Sequence, residues 1–77
     1  MDYKPKMTFY EKNDRRKYHV VAVLDEPQGK QVVCKFYGLH KQWWHYEVKS
    51  KHEIDSGFKI GLFSITRNDP TKADILN

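Results

Sequence analysis

The fold is decided by residues 18–49, which read YHVVAVLDEPQGKQVVCKFYGLHKQWWHYEVK. Apolar side chains recur at every second position along much of this stretch, and that period is typical of β-strands. The run from Tyr18 to Leu24 is rich in valine and apolar on both faces, which indicates a central strand or a strand covered on both sides. The following residues 25–29 predict a turn, because proline restricts φ and glycine accepts left-handed conformations.

The next two strands predict a hairpin with a defined register. If residues 38–42 connect Lys30–Tyr37 to Trp43–Lys49, then Phe36 lies opposite Trp44. The side facing the core would carry Val32, Cys34, Phe36, Trp44, Tyr46 and Val48. The other side would carry Gln31, Val33, Lys35, Tyr37, Trp43, His45, Glu47 and Lys49. A slip of one residue would mix the two sets, so the pattern favours this register.

The flanking segments complete a five-stranded arrangement. Residues 6–10 predict an edge strand, and residues 58–66 predict the last strand. Ser50 and Glu53 have the spacing of a helix capping box, and Gly57 limits any helix there to about two turns. A simple loop is the alternative for this segment. Five short strands predict a mainly β fold, a small and strongly bent barrel. We expect one domain over residues 1–68 and a flexible tail over residues 69–77.

Length and composition exclude several classes of protein. The chain has 77 residues, of which 39% are hydrophobic and 31% charged, as expected for a small globular domain. Its longest apolar run, Val20–Leu24, is far shorter than the roughly twenty residues of a membrane span. The charged N-terminus predicts no secretory signal. Cys34 is the single cysteine and forms no internal disulfide, which favours a reducing, cytoplasmic location.

Short matches to a known family lie between Tyr18 and Ile54. They are Tyr18-His19-Val20, Val32-Val33, and Tyr37-Gly38 followed by a tryptophan a few residues later. In these features the segment resembles a small bacterial family of uncharacterised SH3-like barrel domains. The chain departs from that family after the tryptophan, where Arg-Pro is usual and residues 43–47 stand instead. The resemblance implies an SH3-like barrel and no activity, since the family has none assigned.

Candidate catalytic and metal-binding residues are few. His40 and His45 have a spacing found in zinc sites, but Cys34 has no second cysteine beside it. The predicted register also places Cys34 and His45 on opposite faces. No glycine-rich phosphate loop is present, and a chain of this length has little volume for a substrate pocket. We therefore expect no catalytic residues, no metal, no cofactor and no enzyme activity.

A basic and aromatic patch is the main candidate for function. The net charge is +4, and the whole excess lies in residues 1–42, which contain nine Lys or Arg against five Asp or Glu. Tyr37 and Trp43 are predicted beside each other at one end of the hairpin, where bases or a protein surface can stack on them. The predicted binding residues are Tyr37, Trp43, Lys35, Lys41, His45, Arg15, Arg16 and Lys17. The alternative is structural: a solvated basic loop, and an aromatic pair that stabilises the hairpin end.

Two kinds of partner fit this patch. The favoured hypothesis is a non-enzymatic protein-interaction module, with Trp43 and Tyr37 as anchors. Such a domain would regulate or inhibit a larger assembly, as many small proteins encoded by bacteriophages and mobile elements do. The alternative is nucleic-acid binding through the same residues, against which stand the moderate charge and the predicted position of Glu47 on the same face. The predicted edge strand at residues 6–10 offers a route to a homodimer.

Overall fold

The computed structural model describes residues 2–13, 16–38 and 42–66. In these residues five antiparallel strands form one sheet, as the period-two pattern predicts. The elements are β1 (Thr8–Glu11), β2 (Lys17–Glu26), β3 (Gly29–Gly38), β4 (Trp43–Ser50), α1 (Lys51–Lys59) and β5 (Phe63–Ser64). The strand order is β4-β3-β2-β1-β5, and the sheet is not closed, with β4 and β5 at its edges. The predicted mainly β fold is confirmed. The predicted tail, residues 69–77, lies outside the described residues.

β2 changes faces at Val21. Val20 pairs with Cys34 while Ala22 pairs with Val33, so the register shifts by one residue between them. Such a β-bulge bends its strand and increases the local twist. The strict alternation predicted from Tyr18 to Leu24 is therefore wrong beyond the bulge.

Aromatic rings fill the core beneath the sheet. The buried apolar residues are Tyr3, Phe9, Tyr18, Val20, Val32, Cys34, Phe36, Ile54 and Phe63. Phe9 stacks on Tyr18 with 5.1 Å between ring centroids. Ile54 brings α1 onto this face, which we call the inner face, and the opposite side is the outer face. The predicted burial of Cys34 is confirmed, and burial raises the pKa of its thiol to about 11.

α1 begins where the capping box predicts but extends further than expected. The Glu53 backbone N–H donates to Ser50 Oγ at 3.0 Å, which caps the helix. The helix then runs through Gly57 to Lys59, nine residues where about two turns were predicted. The prediction of a strand beginning at Phe58 is wrong. Ile54 and Phe58 lie one turn apart and pack on the core, and this burial offsets the low helix propensity of glycine.

The N-terminal segment is held in the interior of the sheet rather than at its edge. β1 pairs with β2 on one side, with Phe9 opposite Tyr18, and with β5 on the other, with Tyr10 opposite Ser64. The prediction of an edge strand at residues 6–10 is therefore wrong. Tyr3 lies in the same core and donates to Asp55 Oδ1 at 2.5 Å, and Lys51 donates to Oδ2 at 2.7 Å. These bonds, with that of Lys51 first, lower the pKa of the Asp55 carboxyl.

No helix in the described ranges combines the length and apolar composition that crossing a membrane requires.

Replacing Gly57 by alanine should destabilise the domain, although alanine favours helices. A Cβ atom at this position would overlap the ring of Phe63, which is buried and packs edge-on against Phe9. We expect a loss of about 1–3 kcal/mol on urea denaturation, the usual cost of overpacking a core. Ser56→Ala, at the exposed neighbouring position, is the matched control and should change stability by less than about 0.5 kcal/mol. A gain in stability for Gly57→Ala would show that α1 does not pack on Phe63.

Candidate nucleic-acid interface

The β3–β4 hairpin differs from the predicted one by a single residue. Phe36 lies opposite His45, Tyr37 opposite Trp44, and Gly38 opposite Trp43. The prediction that Phe36 faces Trp44 is therefore wrong, because residues 39–42 connect the strands and Gly38 belongs to β3. Every β4 side chain consequently changes face. Trp44, Tyr46 and Val48, which were expected in the core, are exposed on the outer face.

Amphipathic side chains take the inner side of β4. The His45 ring stacks on Phe36 with 5.3 Å between centroids, and it lies so close to Gly38 that a Cβ there would be 2.5 Å from it. Lys49 Nζ is 3.1 Å from Glu47 Oε1 and 5.3 Å from the centroid of the Tyr18 ring. Long charged side chains can cover apolar surface with their stems while their charges stay paired. The edge of the core is thus closed without apolar residues from β4.

Three exposed aromatic side chains share the outer face, and we call them the aromatic platform: Tyr37, Trp44 and Tyr46. The Tyr37 ring meets Trp44 edge-on at 5.5 Å. The His19 ring does the same from β2, also at 5.5 Å. Trp44 is 36% exposed and Tyr46 is 63% exposed, so both rings are accessible from solvent. Trp44, at the centre, is thus held by ring contacts on two sides and still accessible.

The platform lies in a positively charged part of the sheet. Lys35 Nζ is 4.6 Å from the centroid of the Trp44 ring, within the range of a cation–π contact. Burial, followed by the charges of Lys17 and Lys35, lowers the pKa of His19. In the described strands the register places one carboxylate on the outer face, that of Glu26, beside the turn at the opposite end of β3. The platform is therefore bordered by cations.

Some of the predicted binding residues meet at this surface and others do not. Tyr37 and Lys35 lie on the outer face, as predicted. Lys17, which was predicted in a basic loop, is the first residue of β2 and lies on the same face. Arg15 and Lys41 lie outside the described residues. The residues that sequence reasoning missed are Trp44, Tyr46 and His19. For Trp44 and Tyr46 the signal in the sequence was the alternation along β4, but the sequence analysis assigned both side chains to the inner face.

Trp43 and His45 lie away from Tyr37, contrary to the prediction. Trp43 is opposite Gly38 and is 70% exposed, beyond the end of the core. It shares the side of β4 that carries His45. The predicted pair of Tyr37 and Trp43 is therefore not formed, and Trp44 takes that place beside Tyr37.

Arg16 belongs to the inner face rather than to a solvated loop. Its Nη1 donates to Tyr18 Oη at 3.3 Å and lies 3.8 Å from Glu47 Oε2. Its guanidinium carbon is 4.3 Å from the centroid of the Phe36 ring. The Tyr18 hydroxyl in turn donates to Glu11 Oε1 at 2.8 Å. These contacts give Arg16 a structural role.

Replacing Arg16 by glutamine should therefore lower stability. We expect a loss of about 1–2 kcal/mol, because a charge-assisted hydrogen bond and a cation–π contact disappear together. Lys17→Gln is the matched control, since Lys17 is the exposed neighbour on the outer face, and it should cost less than about 0.5 kcal/mol. Thermal denaturation of both variants measures the difference. Equal melting temperatures would contradict the structural role of Arg16.

Metal-binding geometry is not found in the described part of the chain. Over residues 2–13, 16–38 and 42–66, no three His, Cys, Asp or Glu side chains gather in a group that could hold a metal ion. His40, one of the residues considered from the sequence, lies outside these ranges.

Comparison of the chain with family models, with curated proteins and with solved structures gave no match.

Proposed function

We propose that the outer face binds single-stranded nucleic acid. The observation that carries the proposal is the aromatic platform with Lys35 above Trp44 and Lys17 nearby on β2. Bases stack on exposed aromatic rings with about 1–3 kcal/mol each, whatever their identity. Lysine side chains beside the rings neutralise phosphates of the same strand. One surface therefore offers aromatic rings for the base of a nucleotide and lysines for its phosphate.

The shape of the surface favours an unpaired strand over a duplex. The rings lie on a sheet, and stacking on them requires base faces that a double helix keeps hidden. α1 packs on the inner face through Ile54, so it does not project from the platform as a groove-reading helix would. A strand laid across β3 and β4 would meet Tyr37, Trp44 and Tyr46 in turn.

The position of Glu47 changes the balance between the two hypotheses. In the register predicted from the sequence, its carboxylate stood beside the aromatic patch and opposed a phosphate backbone. In the structure it lies on the inner side of β4, within 3.1 Å of Lys49 Nζ. Glu47 therefore no longer counts against nucleic acid, while the moderate net charge is unchanged.

A protein partner is the second candidate. Leu24 and Val48 are exposed on the outer face and extend the platform with aliphatic surface. Aromatic anchors of this kind are enriched in interface hot spots. In this case the domain, without enzyme activity, would regulate or inhibit a larger assembly.

Salt dependence and strandedness test the proposal. The full chain is titrated with a thymidine oligonucleotide, with its duplex and with an abasic strand of equal length, and tryptophan fluorescence reports binding. We expect the single strand to bind tightest, because the duplex and the abasic strand offer no base faces. The slope of log K against log salt should be about −1 to −2, as expected for two neutralised phosphates.

Equal affinity for the base-containing and abasic strands would contradict stacking. Absence of binding would leave the protein partner as the better candidate.

A further inference from the structure

The free edge of β4 carries much of the exposed apolar surface. Within the described residues β4 pairs with β3 alone, and its other side presents unpaired N–H and C=O groups. The exposed large apolar residues of the described chain include four on this strand: Trp43, Trp44, Tyr46 and Val48. An eight-residue edge strand with four exposed apolar side chains is a template for pairing with another strand.

Two of the features that normally protect an edge strand, a proline and a bulge, are absent from β4. The strand contains no proline, and its ladder with β3 runs without a bulge from Trp43 to Ser50. Its one lysine, Lys49, is already paired: Nζ lies 3.1 Å from Glu47 and 3.7 Å from Glu53, and the side chain is only 15% exposed. Pairing with another strand would therefore not bury an uncompensated lysine charge.

We propose that β4 pairs antiparallel with β4 of a second copy, about a two-fold axis at Tyr46. An axis perpendicular to the sheet keeps the two outer faces on one side, so outer-face residues pair with outer-face residues. Trp44 then lies opposite Val48 of the second copy. On the inner side, His45 lies opposite Glu47 of the second copy and Trp43 opposite its Lys49. The first is an apolar pair, the second pairs an imidazole with a carboxylate, and the third sets an indole ring against the stem of a lysine.

Neighbouring registers are less complementary. An axis at Glu47 places this carboxylate opposite its own copy, so two like charges meet, and sets His45 opposite Lys49. An axis at His45 places that ring opposite its own copy and Trp43 opposite Glu47. Of these three registers, the one at Tyr46 pairs Glu47 with an imidazole and brings no like charges together.

The dimer would join two sheets into one of ten strands. Both aromatic platforms would lie on the same side and meet at the paired Tyr46 rings, with both copies of α1 on the other side. The hydrogen bonds of the pairing use backbone groups of the edge, and the side-chain contacts run along the seam, so the outer face as a whole is not covered. Self-association consequently does not depend on the proposed nucleic-acid binding.

Mass and cross-linking test this pairing. Sedimentation equilibrium of the full chain over a dilution series should give twice the monomer mass at high concentration and the monomer mass on dilution. Tyr46→Cys should form a disulfide-linked dimer under mild oxidation, because the two residues are directly opposite. Val48→Cys is the matched control: the two copies of this residue are separated by about 13 Å, beyond disulfide reach. Cys34 is buried and does not compete.

Two results would overturn the proposal. One is a monomer at every concentration, and the other is cross-linking of Val48→Cys but not of Tyr46→Cys. Hydrogen exchange of the unsubstituted chain gives a second measurement, independent of any variant. The β4 amides that point away from β3 should become protected as the concentration rises. Exchange that is independent of concentration would count against the dimer, whatever the nucleic-acid titration shows.

Discussion

Replacing Phe9 by alanine should remove about 3–5 kcal/mol from the free energy of unfolding. Phe9 is completely buried at the centre of the aromatic core. Its ring centroid lies 5.1 Å from that of Tyr18 and 5.1 Å from that of Phe63, so its loss opens a cavity between β1, β2 and β5. A domain of this length is stable by only about 4–12 kcal/mol. Urea denaturation should therefore show a variant that has lost much of its stability.

Trp43→Ala is the control for this prediction. Trp43 is a larger ring but is 70% exposed, so its removal uncovers little of the core. We expect a change of less than about 1 kcal/mol. Losses of similar size at the two positions would mean that the aromatic core is not centred on Phe9.

The structural features that depend on residues close together in the chain were predictable from the sequence. The alternation of Val32, Cys34 and Phe36 identified the buried side of β3, and all three are buried. The pair of Ser50 and Glu53 located the start of α1, because a capping box is defined by spacing alone. In both cases the signal lies within a few residues of the structure that it predicts.

The faces of β4 were not predictable from hydrophobicity. Trp44, Tyr46 and Val48 are more apolar than the residues between them, so a pattern argument assigns them to the core. In the structure the edge of the core is instead covered by the ring of His45 and by the aliphatic stem of Lys49, whose charge is paired with Glu47. Whether Gly38 ends β3 or begins the connection decides between the two registers, and turn composition alone does not settle a difference of one residue.

The candidate site was therefore found in part. Tyr37 and Lys35 were identified because β3 was assigned correctly. Trp43 was predicted beside Tyr37 in place of Trp44 because the register of β4 was wrong by one residue. Arg16 was predicted as a binding residue because its partner Glu47 is thirty-one positions away in the chain, and such long-range pairs leave no local signal. The bulge at Val21 likewise depends on contacts with β3 rather than on the residues of β2.

Replacing Tyr37 by alanine should weaken binding of a single-stranded oligonucleotide by about 10- to 100-fold. Tyr37 contributes one face of the aromatic platform and holds Trp44 edge-on at 5.5 Å, so the substitution removes stacking worth about 1–3 kcal/mol. Tyr37→Phe keeps the ring and should bind within about two-fold of the original chain. Lys35→Gln should instead lower the slope of log K against log salt by about 0.7, since one phosphate contact is lost.

Trp43→Ala provides the decisive comparison, because the sequence alone placed Trp43 beside Tyr37 and the structure separates them. Trp43 is the more exposed of the two rings, so a site chosen by exposure alone would include it. If the platform is the binding surface, this substitution should leave oligonucleotide affinity unchanged while Tyr37→Ala reduces it. Fluorescence anisotropy of a labelled oligonucleotide measures both variants under one condition, and circular dichroism confirms that both are folded. The reverse result, with Trp43→Ala impaired and Tyr37→Ala unaffected, would place the site on the other side of β4.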